Sequence, residues 1–309
     1  MIETLPVEYQ QRVERCVHAL ADFERDGSLP SHVVRDAVVV DWEAGDLAFS
    51  VALLSRGAKF VYAFDKWLQP DAIPVELRRL PNLVVQKCDI AQFLLHREAD
   101  VLRNDTINLI FANTVTEHMQ SLAQDFHIAY RLLERGGRLF VNHDNYYQPV
   151  GSHDHGFLFY GPESEIVFQG TACWTTAQKC DSSASHRADI ARRYPWTWNA
   201  ELDGARDPSN CPACPYFKRS QAWAHLLYSS EFDTLFPTPA FKTGVEGASL
   251  NKLTIFQLKQ LLIENSFVIV TERRSHVSNT PPAELLSGEM SFTREDLTTA
   301  TIRILAERK

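Results

Sequence analysis

Apolar and polar positions change period several times along the first 142 residues, and each change marks an element. From 6 to 26, Tyr9, Val13, Cys16, Val17, Leu20 and Phe23 recur at helical intervals. That stretch predicts an amphipathic helix packed across a sheet or over the mouth of a cleft. Asp26-Gly27-Ser28 and Pro30 break it. The pattern then turns to short unbroken apolar runs. Ala37-Val38-Val39-Val40 reads as a strand buried on both faces and ended by Asp41. Leu47, Val51 and Leu54, flanked by Ala48 and Ala52, predict a helix N-capped by Asp46 and stopped at Gly57. Phe60 to Phe64 predicts a second strand, closed by Asp65.

The alternation continues. A short helical segment is expected from Gln69 to Leu80, held between Pro70, Pro74 and Pro81. Asn82 to Asp89 reads as a third strand ending in a carboxylate, Ala91 to Arg103 as a helix, and Thr106 to Ala112 as a fourth strand. Ser121 and Gln124 have capping-box spacing, and Leu122, Phe126, Ala129 and Leu133 repeat helically up to Gly136-Gly137. Arg138 to Asn142 is the fifth strand. Such alternation predicts a parallel sheet with helices on both sides. Residues 145 to about 249 hold no steady period. Regular structure resumes with a helix from Thr254, capped with Gln257 and ended at Asn265. Phe267–Val270 and Thr299–Leu305 are the last strands.

Three regions follow: a helical segment at 1–34, an α/β core at 35–145 and 250–309, and an inserted cap at 146–249. With 309 residues, 45% hydrophobic and 23% charged, the chain can bury a full core. No apolar run is long enough to span a membrane. The start, MIETLPVEYQQRVERC, lacks a charged-then-apolar leader, so a cytoplasmic protein is expected. A net charge of −8 argues against nucleic acid, whose phosphates need clustered Lys and Arg. A small molecule is the expected partner.

A strand carrying an acid into a tight turn, then a helix, then a strand ending in a second acid, forms the nucleotide half-site of a doubly wound sheet. The helix N-terminus faces the ligand and the second carboxylate suits ribose hydroxyls. A nicotinamide-binding site would need a glycine fingerprint that this chain lacks.

The order of elements resembles the class I S-adenosylmethionine-dependent methyltransferases, over roughly 35–145 and 250–309. Asp41-Trp42-Glu43-Ala44-Gly45-Asp46-Leu47 is similar to their acid-x-Gly-x-Gly-x-Gly turn. Glu117-His118, followed by Arg131 to Leu139, is similar to their Glu-His and Arg-Leu-Leu-x-x-Gly-Gly segment. The resemblance implies a Rossmann-like, seven-stranded sheet with an antiparallel last strand and a large cap after strand five. It implies S-adenosylmethionine as cofactor, with Asp65 on the ribose hydroxyls and Asp89 facing the adenine amine. Asp41, Glu43, Gly45, Lys66, Ile90 and Asn113 complete the expected cofactor set. Glu43 and Leu47 stand where the family has glycines. Glu43 adds bulk and charge near the cofactor's carboxylate, or pairs with its amino group. Asp46 competes for amides that a carboxylate would use.

His143 to His155 follows strand five at the sheet edge where open α/β folds bind substrates, and packs three His, two Asp and two Tyr into thirteen residues. It is similar to the Asn-x-Tyr-x-x-x-Gly-x-His stretch of some small-molecule methyltransferases. His143 or His153 is the expected general base, with Asn145 and Tyr147 positioning substrate. A polar loop stapling the cap, or a metal site from His143, Asp144, His153 and His155, also fits these residues. His118 reads as structural. Cys173, Cys180, Cys211 and Cys214 have the makings of a four-cysteine structural zinc site, with buried thiols as the alternative. Cys16 and Cys88 read as buried thiols. Trp174, Trp196, Trp198 and Trp223 form either an aromatic lid or the cap's core. Methyl transfer to O or N of a small molecule is the leading expectation. A fold relative without turnover, serving as a binding or partner subunit, is the alternative, and a metal-dependent enzyme using the 143–155 loop is the second alternative; a homodimer or a partner subunit is the expected assembly.

Overall fold

A computed structural model describes residues 5–69, 71, 73–90, 107–119, 121–148, 223, 226, 251–278, 280–281, 283–287 and 292–309. The chain divides into two units, Met1–Asp144 with Ile255–Arg274 and Thr301–Lys309, and Asn145–Thr254 with Ser275–Ala300.

Three successive valines give β1 (Val38–Trp42) its buried, extended character, and the strand carries Asp41 inside it. β2 (Phe60–Phe64), β3 (Leu83–Gln86), β4 (Ile107–Asn113) and β5 (Leu133–Asp144) join it in parallel. β6 (Phe267–His276) and β7 (Thr299–Arg308) complete the order β3-β2-β1-β4-β5-β7-β6. β7 runs antiparallel to β5, with Arg138 opposite Glu307 and ion-paired to it at 2.6 Å. The first five strands follow the doubly wound order, which reverses between β1 and β4. That reversal opens a crevice at the carboxyl ends of β1 and β4, where the Asp41 turn begins.

Helix α1 (Val7–Arg25) buries Tyr9, Val13, Leu20 and Phe23. A four-residue turn, α2 (Ser31–Val34), leads into β1. α3 (Ala48–Ser55) is apolar nearly all round, as expected for a helix enclosed on several sides, and it packs against α1. α4 (Leu122–Leu132) buries Leu122, Phe126, Ala129 and Leu132, and α5 (Ile255–Glu264) buries Ile255, Leu258 and Leu262. Phe23, Phe140, Phe111 and Phe49 stack through the core at centroid spacings of 5.2–5.3 Å.

Several local expectations are corrected. In the proline-bounded segment, Leu77–Arg79 forms a single 3-10 turn, and the described residues 73–76 before it are not helical. β3 ends at Gln86, so Asp89 lies three residues beyond it. The Ser121 side chain makes no cap bond; its backbone carbonyl accepts the Asp125 amide instead. α4 stops at Leu132, and the chain enters β5 before reaching Gly136. The left-handed residue after α5 is Ser266, at φ +68°, while Asn265 bonds back to the Leu261 carbonyl. Cys16 and Cys88 are half-buried, not fully buried as expected. The stretch 91–103 lies outside the described residues.

In the second unit, α6 (Ala283–Ser287) and α7 (Arg294–Thr298) are short helices that the pattern did not predict. α7 carries a full capping box between Thr293 and Asp296. Trp223, 1% exposed, packs with Tyr146, Leu226, Leu285 and Leu297, and its indole N–H donates to the Tyr147 and Leu297 carbonyls. This tryptophan is core, not lid. Trp174, Trp196 and Trp198 lie outside the described residues.

Candidate functional site

The turn between β1 and α3 is the most unusual backbone in the first unit. Glu43, Gly45 and Leu47 all have positive φ, at +57°, +56° and +68°. Glycine takes that conformation without penalty, whereas a residue with a Cβ pays a steric cost. Leu47 itself occupies the N-cap position of α3, correcting the assignment to Asp46. Asp46 still serves the helix start, because its Oδ1 accepts the Ala48 amide at 3.1 Å.

Beside the turn, Tyr9, Arg12, Gly45, Asp46, Asp65 and Trp67 line a cavity of about 290 Å³, floored by Leu68 and Ile73. That volume lies near the lower end for small-molecule sites. Asp65, 6% exposed, accepts the Gly45 amide at 2.8 Å on Oδ2 and the Trp67 amide at 2.6 Å on Oδ1. Each oxygen keeps a second lone pair. The Trp67 side chain is exposed. From α1, the Tyr9 hydroxyl donates to the Asp46 carbonyl at 2.6 Å and Arg12 pairs with Asp46 Oδ2 at 3.1 Å. Burial, and then the charge of Asp46, raise the Tyr9 phenol.

The other expected cofactor residues are distributed behind and beside this cavity. Asp41 is buried under the turn, where its Oδ2 accepts the Ser50 hydroxyl at 2.6 Å. Burial pushes its carboxyl up to about 7, and Ser50 moderates the effect. Glu43 sits 3.9 Å from the Lys66 ammonium. Burial raises it to about 7, Lys66 opposes that, and Asp65 and Asp89 add to it. Asp125, on the first turn of α4, is raised to about 6 by burial and by Asp89. Ile90 is fully buried core. Asn113 ends β4, and its Oδ1 accepts the Asn142 amide at 3.0 Å. Gly45 and Asp65 are therefore the two expected residues brought directly to the cavity.

A second polar group gathers at the ends of β4 and β5. His143 is buried, with Nδ1 2.9 Å from Thr116 Oγ1 and 3.8 Å from Glu117 Oε2. Glu117 is 1% exposed, and neither carboxyl oxygen has a hydrogen-bond partner of good geometry among the described residues. Burial, then the charge of Asp144, push it up to about 8. A carboxyl so placed is largely protonated at neutral pH and is able to exchange a proton there. The sequence reading passed over Glu117 as a site residue. Its signal is an ionisable side chain five residues beyond the apolar run of β4, at the carboxyl edge of the sheet.

Asn145 and Tyr147 belong to the second unit. The Asn145 side chain is wholly buried and donates to the Asp296 and Thr299 carbonyls at 2.6 and 2.7 Å. Its oxygen accepts the Tyr147 amide at 3.1 Å. Both amide hydrogens of Asn145 are thus committed to backbone, which ties these segments together. The Tyr147 hydroxyl donates to the Lys252 carbonyl at 2.7 Å, so its proton is likewise engaged. His153, His155, Cys173, Cys180, Cys211 and Cys214 lie outside the described residues. Among the described residues, no group of three or more His, Cys, Asp or Glu gathers as a metal centre. No described helix is long and apolar enough to cross a membrane.

Sheet order and the antiparallel seventh strand define a Rossmann-like, class I methyltransferase-type fold with a large insertion after β5. No protein-family model matches the chain, and comparison with curated proteins yields no match. Solved structures similar to it include an S-adenosylmethionine-dependent methyltransferase from Mesorhizobium loti, 14% identical, covering 92% of this chain and 95% of that one at a TM-score of 0.43. Another is the Burkholderia thailandensis 1,6-didemethyltoxoflavin-N1-methyltransferase, 13% identical over 99% and 91% of the two chains at 0.42. A third is geranyl diphosphate C-methyltransferase from Streptomyces coelicolor, 14% identical over 96% and 84% at 0.44. At such overlap the strand order carries the fold assignment, not the superposition.

Proposed function

We propose that this chain binds S-adenosylmethionine beside the 43–47 turn and transfers its methyl group to O or N of a small molecule. The observation that carries the reading is the turn: the three positions that are glycine in the resembled motif all hold the conformation glycine favours, although two of them carry side chains. Strain of this kind persists where surrounding structure demands it, and it clusters at ligand sites.

Asp65 faces the cavity and offers its free lone pairs to ribose hydroxyls. Asp41 holds the start of α3 through Ser50 and keeps the turn in place. Glu43 and Lys66 form a charged pair beside the turn, and Asp89 and Asp125 stand with them. The sulfonium supplies an activated methyl group, so the protein's tasks are alignment, exclusion of water and removal of a proton. His143, fixed by the Thr116 hydroxyl, or His153 is the assigned base. A structural zinc on Cys173, Cys180, Cys211 and Cys214 and a cytoplasmic location complete the reading; metal analysis of freshly purified protein tests the zinc.

Equilibrium dialysis with labelled S-adenosylmethionine tests the cofactor site. Asp65→Ala is expected to weaken binding by at least about tenfold. Binding that ignores this substitution contradicts the site.

A second reading, a binding or partner subunit without turnover, draws on Asp65 and Asp46. Both Asp65 oxygens already accept backbone amides, and Asp46 occupies the Ala48 amide. Wild-type protein that binds no S-adenosylmethionine favours it.

A further inference from the structure

A zwitterionic ligand end needs a donor for its carboxylate, and in a glycine-rich turn the backbone amides at the helix start supply one. Here four of those amides are already engaged. The Ala44 amide donates to the Phe64 carbonyl at 2.9 Å, Gly45 to Asp65, Leu47 to the Ala44 carbonyl at 2.9 Å, and Ala48 to Asp46. The cavity beside them carries two carboxylates, Asp46 and Asp65. An incoming carboxylate would meet repulsion there unless a cation answers it.

Among the described residues lining the cavity, the cation is Arg12. It projects from α1, one helical turn beyond Tyr9, and Tyr9 ties that turn of the helix to the loop through the Asp46 carbonyl. Arg12 places one nitrogen on Asp46 Oδ2 at 3.1 Å. A guanidinium has five N–H donors in a planar fork, so this bond leaves others for a second carboxylate. The side chain is about half exposed and can adjust.

We infer that Arg12 receives the carboxylate of the cofactor's amino-acid end, doing the work that backbone amides do in a glycine-rich turn, with Asp46 orienting the guanidinium. The inference rests on the cofactor reading above. It gives α1 a binding role, and it explains how a turn with four of its amides engaged internally admits an anionic group.

Titration calorimetry on the full chain tests it with two probes that differ in the amino-acid end. S-adenosylhomocysteine has the carboxylate, and 5′-methylthioadenosine lacks it. Arg12→Ala is expected to weaken S-adenosylhomocysteine about tenfold while 5′-methylthioadenosine changes by less than about twofold. Arg12→Lys, which keeps the charge and loses the fork, should fall between. Unchanged melting temperatures establish that both variants fold. Equal loss for both probes, or loss for neither, overturns the role of Arg12 and leaves the cofactor site standing. Wild-type protein that binds neither probe overturns the cofactor reading itself, and this inference with it.

Discussion

Glu43 and Leu47 hold the left-handed backbone conformation on either side of Gly45, at φ +57° and +68°. Neither gains from it locally. Leu47 recovers the cost by burying its side chain completely, whereas Glu43 adds a carboxylate that burial holds near neutrality. The two strained positions should therefore respond to glycine in opposite directions.

Glu43→Gly should raise the unfolding free energy by about 1 kcal/mol, since relief of left-handed strain exceeds the entropy cost of glycine. Leu47→Gly should lower it by about 1–3 kcal/mol, because lost burial outweighs the same relief. Urea denaturation of both variants checks the pair. A Glu43→Gly protein less stable than wild type would show that the Lys66 contact outweighs the strain.

Stability should fall as pH rises from about 5 to 8. Asp41, Glu43 and Glu117 have ordinary values of 3.8, 4.5 and 4.5, and folding raises them to about 7, 7 and 8. Between those limits the folded chain holds protons that the unfolded chain has released, so unfolding gains with each step in pH. The stabilisation is present at the acid end of the window and is lost as pH passes the folded values. Asp41→Asn or Glu117→Gln, each removing one titration, should flatten the melting-temperature profile over pH 5–8. An unaltered slope in both variants contradicts the assigned burial.

Asn145→Ala should destabilise the chain by about 2–4 kcal/mol, because it leaves the Asp296 and Thr299 carbonyls and the Tyr147 amide without their partner. S-adenosylhomocysteine affinity should stay within about twofold of wild type, as expected for a staple. Thermal melting and calorimetry on the same preparation check both halves. A stable variant with lost turnover would return Asn145 to the substrate.

The fold was legible because it is written in period. The valine run of β1, the apolar α3 and the alternation through β5 depend on neighbours in sequence. Caps were less legible, since Ser121 and Gln124 have the right spacing yet the Ser121 side chain makes no cap bond. The site was legible where an acid ends a strand, as at Asp65. It was not where partners lie far apart: Arg12 and Asp46 are separated by 34 residues, and Asn145 meets backbone 151 and 154 residues away. Asn145 advertises its donors in sequence but not what they will bind.

The central claim is that the strained 43–47 turn and Asp65 still form a cofactor site. Titration calorimetry of the full chain with S-adenosylmethionine tests it most directly. The account predicts saturable binding with a dissociation constant on the order of micromolar, abolished or greatly weakened by Asp65→Ala. Absence of heat across that range, in protein that melts cooperatively, would contradict it.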